Sequence, residues 1–316
     1  WNVKKMVKNG NVLFVGENLM GYPTITNDNV IIPVSVDTSG NIYYGTPNKV
    51  YAVDKNGDAL WNASTSATLE ILMVLGSYLF EGLSNGSIVA LKTSDGSTVA
   101  QKSLGSSPIY ALSYDSSGYI YAGLGSSSSN NVFKLSNTTD LTPIWWNTSG
   151  TGANWISTDS NLNAYIGTED GQLFKYDTNG NRQWSVSVAT SSINGIAVND
   201  NDIYVASNGG IFKYDSNGNK LWSVSSFDNY PNNIAVDDKH AYVVIGDVDS
   251  NTNTMTGEIM SINKDTGAVN NTVTLLTQPG TYICALNNKV YVTSGTKLYV
   301  WNQDLTVNGQ QSRVEA

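Results

Sequence analysis

Reactive and charged side chains are scarce in this sequence. It carries one cysteine, Cys284, and one histidine, His240. A lone cysteine excludes an intrachain disulfide, and a lone histidine removes most imidazole-based metal and proton-transfer chemistry. Charged residues make up 14% of the chain, with 17 Lys+Arg against 26 Asp+Glu for a net charge of −9. That balance speaks against nucleic acid, whose backbone is gripped chiefly by Lys and Arg. No apolar run approaches the ~20 residues that cross a bilayer, the longest obvious one being residues 71–75, so no membrane span is expected in this chain. Helical periodicity is not evident anywhere.

Neutral polarity fills the gap. The 316 residues are 40% hydrophobic and include 38 Asn, a composition that suits a rigid β protein outside the cell better than a disordered chain. The sequence begins at Trp1 rather than Met, so a signal peptide, membrane anchor or further domain is expected ahead of it.

A repeat decides the architecture. The segment Ile42-Tyr43-Tyr44-Gly45 returns as Leu79-Phe80-Glu81-Gly82, Ile120-Tyr121-Ala122-Gly123, Ala164-Tyr165-Ile166-Gly167, Ile203-Tyr204-Val205-Ala206, Ala241-Tyr242-Val243-Val244 and Val290-Tyr291-Val292-Thr293. The spacing averages about 41 residues, the period of a four-stranded propeller blade. Before each anchor lies a short apolar stretch and a polar turn, as in Ile196-Ala197-Val198 followed by Asn199. After it comes an alternating run such as Leu173-Phe174-Lys175-Tyr176, whose β-branched and aromatic residues fit a pleated surface. The run ends in turns such as Asp177-Thr178-Asn179-Gly180 and Asp215-Ser216-Asn217-Gly218, where Asp accepts backbone bonds and Gly takes a positive φ. Seven residues beyond Asp54, Asp177 and Asp215 stand Trp61, Trp184 and Trp222. A large ring at fixed register predicts a repeated contact between neighbouring blades.

These residues resemble the quinoprotein-dehydrogenase-like (PQQ-like) repeats of seven-to-eight-bladed propellers, with residues 42–61 the closest copy. Tyr291-Val292-Thr293 is similar to the Tyr-Val-Thr-Asn repeats of archaeal surface-layer proteins, although Ser294 replaces the last residue. The resemblance covers about residues 31–305 and bears on fold, not function. It implies a single all-β domain over residues 1–316, a seven-bladed β-propeller of four-stranded antiparallel blades. Residues 1–30 lead in and 306–316 form a tail. Trp1-Asn2-Val3 matches Trp61-Asn62-Ala63, so the N-terminal strand is expected to complete the last blade and close the ring. No cofactor is expected. The resembling quinone enzymes are larger and commonly carry paired cysteines, whereas Cys284, beside Tyr282, Ile283 and Ala285, reads as a buried strand thiol.

Candidate sites follow from propeller geometry, in which the loops entering the innermost strands gather on one face. Aligning the repeats brings Ile32, Glu70, Tyr110, Trp155, Ile193, Asn232 and Tyr282 to those entrances, with Phe227 and Tyr230 just ahead. Tyr110, Trp155, Phe227, Tyr230, Asn232 and Tyr282 are thus the expected ligand-binding set: aromatic faces stack on sugar rings or anchor a protein, and Asn154, Asn232 and Asn233 offer amides. The alternative is that the rings pack between blades.

Residues 247–258 place Asp247, Asp249, Asn251, Asn253 and Glu258 at the oxygen-donor spacing of a calcium loop, the one candidate metal site. Thr252 stands where an EF-hand needs Gly, so only an isolated calcium loop is in question, a solvated loop being the alternative. Asn62, Asn85, Asn137, Asn147 and Asn270 head Asn-x-Ser/Thr sequons and are candidate glycosylation sites.

Six glutamates, one histidine and one cysteine define no nucleophile, base and acid set, so no catalytic residue is assigned. His240 reads as a strand-edge side chain. The expected role is an extracellular or surface-displayed recognition or structural module, on a cell, filament or virion, that binds protein or glycan or assembles with itself. Two rivals are a carbohydrate-active propeller enzyme using Glu70 with Asp228, and an assembly scaffold resembling the periplasmic propeller that helps outer-membrane proteins insert.

Overall fold

The computed structural model describes residues 3–8, 11–16, 34–37, 39–54, 58–126, 128–137, 140–225, 230–249, 254–275, 280–286, 289–294 and 297–305. Among them there is no helix. The chain packs as two compact units, one comprising Trp1–Thr168 and Tyr176–Arg182, the other Glu169–Lys175 and Gln183–Ala316.

Six four-stranded antiparallel sheets succeed one another along the chain, in the pattern of propeller blades. Sheet 1 holds Val34–Val36, Ile42–Thr46, Lys49–Val53 and Ala59–Ser64. Sheet 2 holds Leu69–Leu75, Tyr78–Leu83, Ser87–Lys92 and Thr98–Ser103. Sheet 3 holds Ile109–Tyr114, Ile120–Leu124, Val132–Leu135 and Pro143–Asn147. Sheet 4 holds Ala153–Thr158, Ala164–Thr168, Gln172–Tyr176 and Arg182–Ser187. Sheet 5 holds Ile193–Asn199, Asp202–Ser207, Gly210–Tyr214 and Lys220–Val224. Sheet 6 holds Tyr230–Val236, His240–Asp249, Thr254–Asn263 and Val269–Leu275. Sheet 7 has three strands among the described residues, Gly280–Leu286, Lys289–Ser294 and Lys297–Asn302. Every anchor segment of the repeat falls on the second strand of one of these seven sheets.

Near the N-terminus Val3–Lys8 pairs with Asn11–Gly16, Val3 opposite Gly16 and Lys8 opposite Asn11. Sequence supplies the reason: Asn9-Gly10 lies between the two strands, and Asn-Gly is the pair most suited to a two-residue hairpin. Trp1, on which the closing-strand reading rested, lies outside the described residues.

Burial explains the layering. Within each unit the first strands of successive sheets run side by side, as Ile109–Tyr114 does with Ala153–Thr158 and Ile193–Asn199 does with Tyr230–Val236. Second and third strands are almost wholly buried, the patterns for Ile120–Leu124 and Gly210–Tyr214 being buried throughout, whereas fourth strands such as Arg182–Ser187 are mostly exposed. The cores are therefore sandwiches of neighbouring sheets: Tyr43, Val50, Leu72, Val74, Leu79 and Val89 form one between sheets 1 and 2.

The tryptophans join each sheet to the next, as their spacing predicts. Trp61 Nε1 donates to the Thr93 carbonyl at 2.8 Å, Trp145 to Thr178 at 3.1 Å, Trp184 to Ser216 at 2.9 Å and Trp222 to Lys264 at 2.9 Å. Each acceptor belongs to the turn between third and fourth strands of the following sheet. That turn brings a glycine against the indole: a Cβ on Gly180 would sit 2.7 Å from the Trp145 ring, and one on Gly218 3.0 Å from Trp184. These glycines also have φ of 82° and 84°, so the Asp-x-Asn-Gly turns satisfy two backbone demands at once. Their aspartates are spent locally. Asp215 accepts from the Asn217 and Asn219 backbones and from the Asn219 side chain, which holds its carboxyl below the ordinary value.

Where the ring is absent, another group substitutes. In sheet 6 Asn271 occupies the tryptophan register and donates from Nδ2 to the Asp304 carbonyl at 2.9 Å. In sheet 2 the position is Ala100, and the fully buried Leu141, at φ 53°, fills out the same cluster.

A second repeated device was not anticipated. Asp37, Asp115, Asp159 and Asp237 sit in the turn between first and second strands, where one oxygen of each accepts backbone N–H groups and the other accepts the hydroxyl of Tyr43, Tyr121, Tyr165 or Tyr242, at 2.8 to 3.1 Å. Burial, reinforced by the adjacent carboxylate, raises all four phenols above their ordinary value. In sheet 3 the hub gains a cation, Lys134 Nζ lying 3.3 Å from Asp115 and 3.0 Å from Thr178 Oγ1 and 4.5 Å from the Tyr119 ring centre.

Candidate interaction face

The first strands begin irregularly, and in the same way. The ladder to the second strand skips one residue between Leu69 and Ile71, Ile109 and Ala111, Ala153 and Trp155, Ile193 and Gly195, Pro231 and Asn233, and Gly280 and Tyr282. The extra residues of these β-bulges are Glu70, Tyr110, Asn154, Asn194, Asn232 and Thr281. A bulge frees one residue from the pleat and re-aims its side chain. Hydrophobic alternation explains the choice of residue: the flanking Leu69, Ile109, Ala153 and Ile193 are buried, and a polar or half-exposed group is inserted beside them.

Sequence alignment found three of these positions, Glu70, Tyr110 and Asn232, and missed the others by one. Trp155, Ile193 and Tyr282 stand beside the bulges at Asn154, Asn194 and Thr281. A bulge shifts register without changing composition, so period-two counting cannot locate it. Ile32 lies outside the described residues, as do Phe227 and Asp228.

In the first unit Tyr110 is 42% exposed and its ring rests on Gly125, where a Cβ would come within 3.1 Å of Cε2. Glu70 and Trp155 are half-buried, on the first strands of the sheets either side of sheet 3's. Burial raises the Glu70 carboxyl above its ordinary value. In the second unit Tyr230 opens the first strand of sheet 6 and is 59% exposed. Near it Asn194 Nδ2 donates to Asn208 Oδ1 at 2.6 Å and to the Pro231 carbonyl at 2.9 Å, which fixes the amide. Asn232 is half-buried, and Asn233 is buried with its Oδ1 accepting from the Ile234 backbone. Gly195 permits the close approach here, a Cβ there meeting the Asn233 Cα at 3.0 Å. The structure thus brings Tyr110 and Trp155 onto adjacent strands, and Tyr230 and Asn232 onto one strand. Tyr282 pairs through its backbone with Thr293, and its side chain lies outside the described residues.

In the candidate calcium segment His240–Asp249 and Thr254–Asn263 pair in one ladder, with Asp247 opposite Thr256, Asp249 opposite Thr254 and Glu258 opposite Ile245. Asp247, Asp249 and Glu258 are therefore strand residues, and Asn251 and Asn253 lie outside the described residues. The β-branched Val243, Val244, Ile245 and Val248 favour the strand. Among the described residues no group of three or more His, Cys, Asp or Glu side chains is placed to hold a metal ion.

His240 opens the second strand of sheet 6, its Nδ1 3.1 Å from the Tyr242 hydroxyl, within the Asp237 hub. Cys284 lies mid-strand opposite Tyr291, its side chain outside the described residues. The remaining acid of note is Glu81, 2% exposed on the second strand of sheet 2. Among the sequons, Asn62 and Asn270 lie exposed on fourth strands, Asn85 and Asn137 in exposed turns, and Asn147 half-buried at the end of a fourth strand.

Residues 129–303 match the family described as outer membrane protein assembly factor BamB. No curated protein matches the sequence. Among solved structures, a crystal structure of the computationally designed Ika8 protein aligns with a TM-score of 0.73 at 16% identity, covering 91% of this chain and 87% of that one. The crystal structure of BamB from Moraxella catarrhalis aligns with a TM-score of 0.66 at 18% identity, covering 91% of this chain and 85% of that one. At these identities the structural likeness bears on fold alone.

Proposed function

The chain belongs to the PQQ-like β-propeller family described by the outer membrane protein assembly factor BamB, and from that premise we propose that it is a protein-binding, assembly-type module. Its finer form, in this reading, is a seven-bladed propeller displayed outside the cytoplasm that recognises a partner and does not turn over a substrate. The observation that carries it is the bulged start of the first strands, which in the first unit sets exposed Tyr110 on a strand between those of half-buried Glu70 and Trp155, and in the second sets exposed Tyr230 near the fixed Asn194 amide. Partly exposed tyrosines on rigid backbone are good anchors, because they offer large contact area for little lost conformational freedom. The low charge of the chain favours a neutral, hydrogen-bonding partner surface over a polyanion.

Site-directed photo-crosslinking tests this. A photoreactive phenylalanine at position 110 or 230 should yield protein adducts in the native cell envelope, whereas one at Val99, on the exposed fourth strand of sheet 2, should not. Trp155→Ala, on the strand next to Tyr110, should lower capture from position 110 by roughly tenfold or more, the cost of losing one anchor. Equal capture at Val99, or none at either tyrosine, would overturn the reading.

A further inference from the structure

The five sequons are chemically unequal once folded, and we infer that two of them, Asn62 and Asn270, are the N-linked glycan acceptors of the native protein. This rests on the extracytoplasmic reading above. Transfer joins the Asn Nδ2 to the anomeric carbon of a polyprenyl-diphosphate-linked oligosaccharide; the bond from that carbon to the diphosphate oxygen breaks, the lipid diphosphate leaves, and the amide gives up one proton. The folded product must therefore have room at Nδ2, and the hydroxyl two residues on belongs to the recognised motif.

Strand geometry sorts the candidates. In a strand, residues i and i+2 share a face. Asn62 and Ser64 are both exposed on the fourth strand of sheet 1, with Trp61 and Ala63 turned inward between and beyond them. Asn270 and Thr272 are both exposed on the fourth strand of sheet 6. Among the described residues none of these four side chains makes a hydrogen bond. Asn271, between the second pair, faces the other way and is fixed to Asp304.

Asn147 fails on both counts. Its Nδ2 donates to the Gly180 carbonyl at 2.8 Å, and Ser149 is buried with its Oγ on Asn131 Oδ1 and the Thr151 carbonyl. Asn137 Nδ2 is engaged with the Ser117 carbonyl. Asn85 has its Oδ1 held by the Ser87 backbone and its motif hydroxyl, on Ser87, buried. Sugars at Asn62 and Asn270 would instead stand on outer strands, whose unpaired backbone edges invite association with other strands.

The test is secretion of the full chain from an N-glycosylating host, with site occupancy read by enzymatic deglycosylation in heavy-oxygen water and peptide mass spectrometry of the monodisperse folded fraction. Occupancy at Asn62 and Asn270, with Asn147 unmodified, is the expected result, and Asn62→Gln with Asn270→Gln should remove the glycan mass together. No modification at either site, or comparable modification at Asn147, overturns the inference. Crosslinking from positions 110 and 230 should persist in the double variant, which separates failure here from failure of the recognition reading.

Discussion

Glu81 offers the sharpest test of how the sheets are held. Its Cα partners are Leu72 and Val89, its equivalents in later sheets are Ala122, Ile166, Val205, Val243 and Val292, and its buried Oε1 has no hydrogen-bond partner among the described residues. Burial alone pushes its carboxyl from 4.5 up to about 7. The sign follows from proton linkage. Below 4.5 the group is protonated folded and unfolded, and ionisation contributes nothing. Between 4.5 and about 7 the unfolded chain releases the proton that the folded chain still holds, so stability falls as pH rises, by about 1.4 kcal/mol per pH unit. Above 7 the loss levels off at roughly 3 kcal/mol. Glu81→Gln keeps the shape and abolishes the titration, so urea unfolding of the two proteins at pH 4, 5.5, 7 and 8 should give a stability difference that grows with pH and then flattens. Glu81→Leu should add a further gain at every pH, because the unpaired oxygen itself costs about 1 to 3 kcal/mol. Parallel pH curves for wild type and Glu81→Gln would refute the argument.

Two other outcomes follow from the joints between sheets. Trp184→Phe keeps most of the packing but strands the Ser216 carbonyl, and should lower unfolding stability by about 1 kcal/mol in chemical denaturation. Lys134→Met leaves the buried Asp115 without its cation and should cost about 3 to 5 kcal/mol, whereas Lys134→Met combined with Asp115→Asn should recover part of that loss, a coupling measurable by a double-mutant cycle.

What could be read from the sequence was whatever repeats in composition. The anchor tetrads, the Asp-x-Asn-Gly turns and the tryptophan seven residues on each mark a fixed place in a blade, and the strands, turns and sheet-to-sheet contacts lie there. The Asp hubs were also legible, since Asp37, Asp115 and Asp159 each precede a buried tyrosine by six residues, but a lone acid at a turn looks like any other turn acid until its second oxygen is seen to be occupied. The bulges at Asn154, Asn194 and Thr281 left no such trace, because one unpaired residue alters register without altering alternation. The pairing of Val3–Lys8 with Asn11–Gly16 has its local signal in Asn9-Gly10, the pair suited to a two-residue hairpin.

The tryptophan joint is directional: in each of the four described, an indole on the fourth strand of one sheet inserts against a glycine turn on the next. A tandem duplication of one repeat would carry both the plug and the socket, and would fit between its neighbours without a second mutation. A lineage built this way can lengthen by copying, whereas exchanging a single sheet for a foreign one would spoil two seams at once.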